Sequence, residues 1–181
     1  MNEIGELCIL LSLGISIYSA VVPILGVKRG REEYIGSAEN SIFVIAGLIV
    51  ISSAILTYAF LNRDFSIEYV ANYSNRDLPL FYTLSAFWAG QKGSLLFWSL
   101  LLSLFAVVVV IQNKNKNRDF MPYVISIISV TQCLFLVLMT FAERPFELIY
   151  PPEDGSGLNP MLQNPGMVFH PPTLYMGYVG F

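Results

Sequence analysis

Long apolar runs separated by short polar breaks organise this chain. Ile4 to Val27 is the first run, Ala38 to Leu61 the second, and Phe120 to Phe141 the last complete one. A helix rises about 1.5 Å per residue, so about 20 apolar residues cross a hydrocarbon core of about 30 Å. Each run meets that length. Leu80 to Ile111 is too long for one crossing and breaks at the polar segment AGQKGS. That break predicts a short interfacial helix over Leu80–Trp88 and a third span over Ser94–Ile111. After Phe141 a long irregular stretch, Glu143 to His170, precedes a further helix that starts near Pro171 and is reached only as far as Phe181. About ten residues cannot cross a bilayer, so the sequence is expected to stop inside a helix. The expected fold is an all-α integral membrane protein: four full transmembrane helices, the start of a fifth, and extracytoplasmic loops.

The polar breaks carry their own signals. Residues Phe65 to Ser74, FSIEYVANYS, have the β-branched and aromatic content of a short strand, and the SNRDLP run after them reads as a turn. PPEDGSG is the most turn-like part of the later loop. Trp88 falls at the predicted interface and Trp98 about one turn inside, where an aromatic belt and helix packing account for them. Ser12, Gly14, Ser16 and Ser19 on the first run, and Gly47, Ser52 and Ser53 on the second, are the small residues that helix–helix contacts in lipid prefer. Pro23 is placed to bend the end of the first helix.

Composition sharpens this picture. Of the 181 residues 55% are hydrophobic and only 13% charged, about half the usual soluble fraction of roughly 25%. The acidic start of the chain, with Glu3 and Glu6, is unlike the basic start of a cleaved signal peptide, so the first run is expected to be a retained span. No basic patch with interleaved aromatics is present, so nucleic acid is not an expected partner. Cys8 and Cys133 lie inside apolar runs with neither a CxxC pair nor a metal-ligand spacing, and read as small buried residues. No charged residue or histidine stands near the middle of a span, which fits a pump or transporter poorly.

Charge placement predicts sidedness. Lys28, Arg29 and Arg31 follow the first span, and Lys114, Lys116 and Arg118 the third, each set within a few residues. The longer opposite segments hold fewer basic residues per length: Arg63, Arg76 and Lys92 in one, Arg144 in the other. The positive-inside rule then places the N-terminus, the Asn62–Gly93 segment and the His170 loop outside the cytoplasm.

His170 is the one histidine, within GSGLNPMLQNPGMVFHPPTLYMGY. A residue before proline is pushed out of the α region, so His170 is expected to be extended, with Pro171 and Pro172 opening the helix after it. The positive end of that helix would disfavour an imidazolium, and neutral imidazole is the form that binds metals. A haem-iron or metal ligand and an ordinary interfacial or capping residue both stay open on these grounds. No serine–histidine–aspartate set, carboxylate pair or phosphate-binding loop can be placed, and no catalytic residue is assigned.

Two stretches carry a resemblance. FYTLSAFWAGQKGSLLFWSLLL and GLNPMLQNPGMVFHPPTLYMGYVGF resemble, in order and spacing, segments of the CcmF/NrfE-like haem lyase subunits of cytochrome c maturation. The resemblance covers essentially the whole chain but only the N-terminal portion of the family. It implies a protein of the bacterial cytoplasmic (inner) membrane that receives haem from a membrane-anchored haem chaperone. With other maturation subunits, such a protein attaches haem to the cysteines of apocytochrome c. It further implies that His170 is an outward-facing axial ligand of haem iron, one of a pair and the only metal role here. Asn159, Pro160, Pro171, Pro172, Tyr175 and Gly177 would shape the loop and helix entry. Residues 1–79 would be an N-terminal transmembrane hairpin with its outer loop, and 80–181 the beginning of the haem-handling membrane domain. The family's tryptophan-rich WGGxWxWDPVE-like segment and its other histidines are absent, so a complete haem site needs residues this chain lacks. Lys92 stands where many relatives carry an acid. A second reading of the same residues is a docking or scaffold module for haem-lyase partners; a transporter or quinone-reactive subunit is the weakest.

Overall fold

Residues 1–114 and 116–180 are described by a computed structural model. Asn115, in the basic connector, and Phe181, at the end of the expected fifth helix, lie outside them. Among the described residues four helices are long and apolar enough to cross a membrane: α1 (Asn2–Arg29), α2 (Glu32–Leu61), α5 (Gln91–Asn113) and α6 (Met121–Phe141). They are the four expected spans. Three short helices complete the fold: α3 (Glu68–Tyr73), α4 (Leu80–Ser85) and α7 (Pro165–Gly180). The expected interfacial helix over Leu80–Trp88 is α4 followed by a 3₁₀ turn at Ala86–Trp88.

The bundle inverts the ordering of a water-soluble core. On α1 the buried positions are Gly5, Cys8, Ile9, Ser12, Ser16, Ser19, Pro23 and Gly26. Large apolar side chains such as Leu7, Leu10, Leu11, Ile17 and Val21 point outward. Lipid solvates Leu as well as a protein interior does, so what favours helix contact is close approach and hydrogen bonding, which small residues allow. α1 accordingly packs along both α2 and α6, and α5 joins α2 to α6. Side-chain hydroxyls tie helix to helix: Ser52 donates to the Gly5 carbonyl (3.2 Å) and Ser126 to the Ala20 carbonyl (2.7 Å). α1 continues through Pro23 and stops at Gly30, whose φ of 64° is left-handed and costs a glycine little. The Arg31 amide then donates back to the Gly26 carbonyl (2.9 Å), which turns the chain at once into α2.

The segment from 62 to 90 folds over one end of the bundle. The strand expected at FSIEYVANYS is instead helix α3, and only Ile67 makes an isolated antiparallel bridge, to Leu148. The reason is hydrogen-bond supply. The loop at 147–149 offers one short pairing, with Glu68 N–H to the Glu147 carbonyl (2.9 Å) and Ile149 N–H to the Ser66 carbonyl (2.9 Å). Beyond it no partner strand exists among the described residues, so the buried amides close on their own chain as a helix. Tyr69, Val70 and Ala71 are thereby buried with Phe60, Phe87, Leu96 and Phe146 in the larger of two apolar clusters.

Candidate functional site

α7 carries the His170 motif, and its start is set locally. The Asn164 side chain accepts from the Gly166 amide (2.9 Å), and its carbonyl accepts from Met167 (2.9 Å) and Val168 (3.2 Å). That is an asparagine N-cap with proline at the first helical position, a pairing that satisfies donors the helix cannot bond internally. Asn159 caps the preceding 3₁₀ turn, Pro160–Leu162, in the same way, accepting from the Met161 amide (3.0 Å).

His170 therefore differs from its expected conformation. It lies inside α7, not extended before it, and Pro171 and Pro172 sit within the helix. The bias of a residue before proline is overridden because the cap at Asn164 has already nucleated the helix. The two prolines withdraw the N–H groups that would have bonded the Met167 and Val168 carbonyls. Thr173 adds a bond of its own: its hydroxyl lies 2.9 Å from the His170 carbonyl and 3.1 Å from that of Phe169. His170 is beyond the first turn, so the dipole argument for a neutral imidazole no longer applies to it. Its side chain is exposed. Phe169 beside it is exposed too and meets the ring of Phe81 from α4 at 6.0 Å between centroids.

The other motif residues divide by role. Tyr175 anchors α7 on α5: its ring packs against Trp98 (5.2 Å) and Phe97 (5.9 Å), and its hydroxyl lies 3.3 Å from Ser94 Oγ. Pro171 and Pro172 are half-buried. Gly177 is exposed, and a Cβ there would meet nothing within 4 Å. Among the described residues no group of three histidine, cysteine or acidic side chains converges on a metal position. One exposed imidazole could give a metal cofactor a single nitrogen ligand, and the described residues around it do not make a closed metal centre.

The loop feeding α7 is pinned by contacts that local sequence reasoning missed. Lys92, at the start of α5, bridges Glu68 of α3 and Glu147 of the loop, the latter at 2.8 Å. Arg144 pairs with Glu6 of α1 (2.5 Å). The Arg76 amide donates to Asp154 (3.0 Å), and the Ser156 amide to the Ala71 carbonyl (2.7 Å). Arg63 reaches the Asn75 and Leu78 carbonyls at 2.8 and 2.7 Å. These contacts gather both ends of the loop and α3 around the start of α5. The only sequence signal was Lys92 itself, as a departure from the family pattern.

One consequence concerns pH. The Lys92 ammonium, by hydrogen bond first and by charge second, holds the Glu147 carboxyl below its usual range. A carboxyl depressed in the folded state stabilises above its unfolded pKa, about 4.3, and that contribution is lost as pH falls through the lower folded value. Acidifying from pH 7 to below about 4 is expected to loosen the 147–149 pairing slightly, since Glu147 is about half exposed while Phe146 stays buried. Amide hydrogen exchange at Glu68 and Ile149 should then rise before exchange in α1 or α6. Unchanged protection at these two amides would refute it.

Comparison with known proteins places this arrangement. The model of the family described as Cytochrome C assembly protein matches residues 88–181. The chain is similar to the cytochrome c-type biogenesis protein CcmF of Haemophilus influenzae, 38% identical over 181 residues, 99% of this chain and 28% of that protein. It is similar to CcmF of Escherichia coli K12, 38% identical over 183 residues, 100% of this chain and 28% of that protein. It is also similar to NrfE of Haemophilus influenzae, 37% identical over 182 residues, 100% and 29%. Among solved structures it resembles the Cytochrome c Heme Lyase CcmF with a TM-score of 0.83 and 26% identity, over 99% of this chain and 28% of that one. The chain thus spans little more than a quarter of the length of these relatives, 28–29%. With its four apolar helices and a family match that runs from Trp88 through the His170 helix, the chain belongs to the cytochrome C assembly protein family.

Proposed function

We propose that this chain acts in cytochrome c maturation as a portion of a membrane haem lyase system, with His170 as an axial ligand of haem iron. The observation that carries the reading is the exposed imidazole on α7, one residue along the helix from Phe169, whose ring meets Phe81 of α4. The relatives, cytochrome c-type biogenesis proteins and a cytochrome c haem lyase, supply the reaction class. When bound, haem would supply the vinyl groups that become linked to apocytochrome cysteines. The chain's own part is placement. His170 offers a nitrogen lone pair, the phenyl rings exclude water from one side, and Tyr175 holds the helix in register against α5. The six residues Asn159, Pro160, Pro171, Pro172, Tyr175 and Gly177 shape this entry and do no chemistry. The partners would be a membrane-anchored haem chaperone, apocytochrome c and further maturation subunits. The division at residue 79, between an N-terminal hairpin with its outer loop and the start of a haem-handling domain, belongs to the same proposal.

Sidedness follows in this reading from the basic connectors. The basic residues Lys28, Arg29, Arg31, Lys114, Lys116 and Arg118 mark the end of the bundle that would face the cytoplasm of a bacterium. The His170 end would then face outward across the inner membrane. His170→Ala in the complete protein is expected to abolish holo-cytochrome c, read by haem staining, while membrane insertion is retained. Normal haem attachment in that variant would remove the ligand role.

The docking reading is favoured by a different observation. Tyr150 and Met161, on the loop before α7, are 95% and 80% exposed. A partner docking on this loop would bury them, and tyrosine and methionine are among the residues enriched in protein–protein interfaces. If docking is the whole function, His170→Ala is tolerated, and paired substitution of Tyr150 and Met161 by serine abolishes maturation.

A further inference from the structure

Ser103, Ser129 and Gln132 meet at a small pocket between α2, α5 and α6, walled on its apolar side by Ile42, Ile45 and Ile128. All three polar residues are buried, at 3%, 0% and 2% exposure, near the middle of their helices. Their hydrogen-bonding capacity is not used up. Gln132 commits its amide nitrogen to Ser99 Oγ (2.5 Å), which leaves Oε1 without a protein partner. Ser103 donates to the Leu100 carbonyl (2.8 Å) and keeps its lone pairs.

Ser129 is the more telling case. A serine or threonine hydroxyl inside a helix ordinarily bonds a carbonyl three or four residues back. Ser41, Thr57, Thr131 and Thr140 all do so here, at 2.7 to 3.1 Å. Ser129 does not: its hydroxyl has no protein partner, as is also true of Ser12, Ser19 and Ser53, but among these four only Ser129 lines the same small space as the unpartnered Gln132 Oε1. An uncommitted donor and an uncommitted acceptor thus line one small space midway along α5 and α6, on residues buried from bulk water, where leaving such groups unpaired is costly.

The space has a definite size. Its volume is about 10 Å³, which holds one water molecule and nothing larger. We propose that this pocket is a binding site for a single buried water. That water accepts from the Ser129 hydroxyl and donates to Gln132 Oε1 and to Ser103 Oγ. Three bonds are the usual complement of a buried water. The chemistry selects water over a cation of similar size: the polar groups are neutral, no carboxylate faces the pocket, and an ion would bring unpaired charge against isoleucine walls. The water joins α5 to α6 at a level where those two helices have no direct bond between Ser103 and Ser129.

The test is X-ray radiolytic labelling of the full chain in lipid nanodiscs. A bound water yields hydroxyl radicals in place and oxidises its neighbours, even where bulk solvent does not reach. Ile42 and Ile45, only 4% and 2% exposed, are the reporters. Oxidation at either is expected in the wild type and is lost in Gln132→Leu; if that variant fails to insert, Ser129→Ala serves instead. An unlabelled wild type, or labelling that persists in the variant, overturns the proposal. A thermal-unfolding cycle of Ser103→Ala and Ser129→Ala gives an independent reading. The bridge predicts that the double variant loses less Tm than the two single losses added. Strict additivity, or a Tm that responds to sodium in place of the labelling pattern, also overturns it.

Discussion

Gly93→Ala is expected to destabilise the protein by at least about 3 kcal/mol, with loss of the ordered start of α5. Alanine is the better helix former by about 1 kcal/mol, so on propensity alone the change would help. Geometry decides otherwise. Gly93 lies in the first turn of α5, and an added Cβ would collide with the Phe87 carbonyl oxygen and come within 2.6 Å of the Tyr69 hydroxyl. The first obstacle is backbone and cannot swing aside. Either the 3₁₀ turn at Ala86–Trp88 or the start of α5 must move. The displacement would reach α7, because Ser94, the next residue, meets the Tyr175 hydroxyl. The check is thermal unfolding in detergent, followed by tryptophan fluorescence, since Trp88 and Trp98 flank this joint. Unfolding within about 0.5 kcal/mol of the parent, the range of an innocuous substitution, would show that the joint yields.

Tyr69→Phe is expected to cost about 2 kcal/mol through the same joint by the opposite route, removal of a partner and not addition of an obstacle. The Tyr69 hydroxyl accepts from the Gly90 amide at 2.9 Å. Its own proton faces three carbonyls, those of Phe87 (3.1 Å), Ala86 (3.2 Å) and Gly90 (3.3 Å). Burial holds the phenol far above its usual range, so it remains a neutral donor and acceptor at any pH the fold survives. Phenylalanine keeps the ring contacts with Phe60 and Tyr73 and leaves the Gly90 amide unpartnered where the helix has no internal bond for it. Chemical unfolding of the single variants and of the double with Gly93→Ala tests the shared joint. Removing the hydroxyl relieves one of the two collisions but not the one with the Phe87 carbonyl. The double variant should therefore remain at least as unstable as Gly93→Ala alone. Recovery of parent stability in the double would mean that the hydroxyl, not the backbone, is the obstacle.

Most of the fold was legible from residue order. A span must be continuously apolar and must satisfy its backbone within the segment, and both demands are local. The four runs, the break at AGQKGS and the interfacial helix before it therefore appear in the structure within three residues of their expected bounds, except that α2 starts six residues before Ala38, at Glu32, because its polar first turns are helical too. The serines on α1 marked its contact face for the same reason: Ser12, Ser16 and Ser19 stand buried while the leucines around them do not, whereas Gly14, and Gly47 on α2, are exposed and a Cβ at either would meet nothing within 4 Å, so these two glycines are not contact residues.

The candidate site was legible as a motif but not as a conformation. Its residues belong to a family whose match spans them, yet whether His170 is extended or helical depended on the cap at Asn164, six residues earlier. Prolines read alone suggested a helix start, and the stronger nucleus upstream prevailed.

What the order of residues determined by itself is the class of the molecule, the position of its apolar spans and the family to which it belongs. Hydrophobic length and turn composition are carried by neighbours in sequence. What the tertiary structure alone decided is the partnering of polar groups. Lys92 meets Glu68 and Glu147 across 24 and 55 residues, and Arg144 meets Glu6 across 138. The β-rich residues of α3 became a helix because one bridge, not a strand, was there to receive them. A hydrogen bond or an ion pair requires two groups to be brought together in space, and no spacing along one segment records which distant group the fold will deliver.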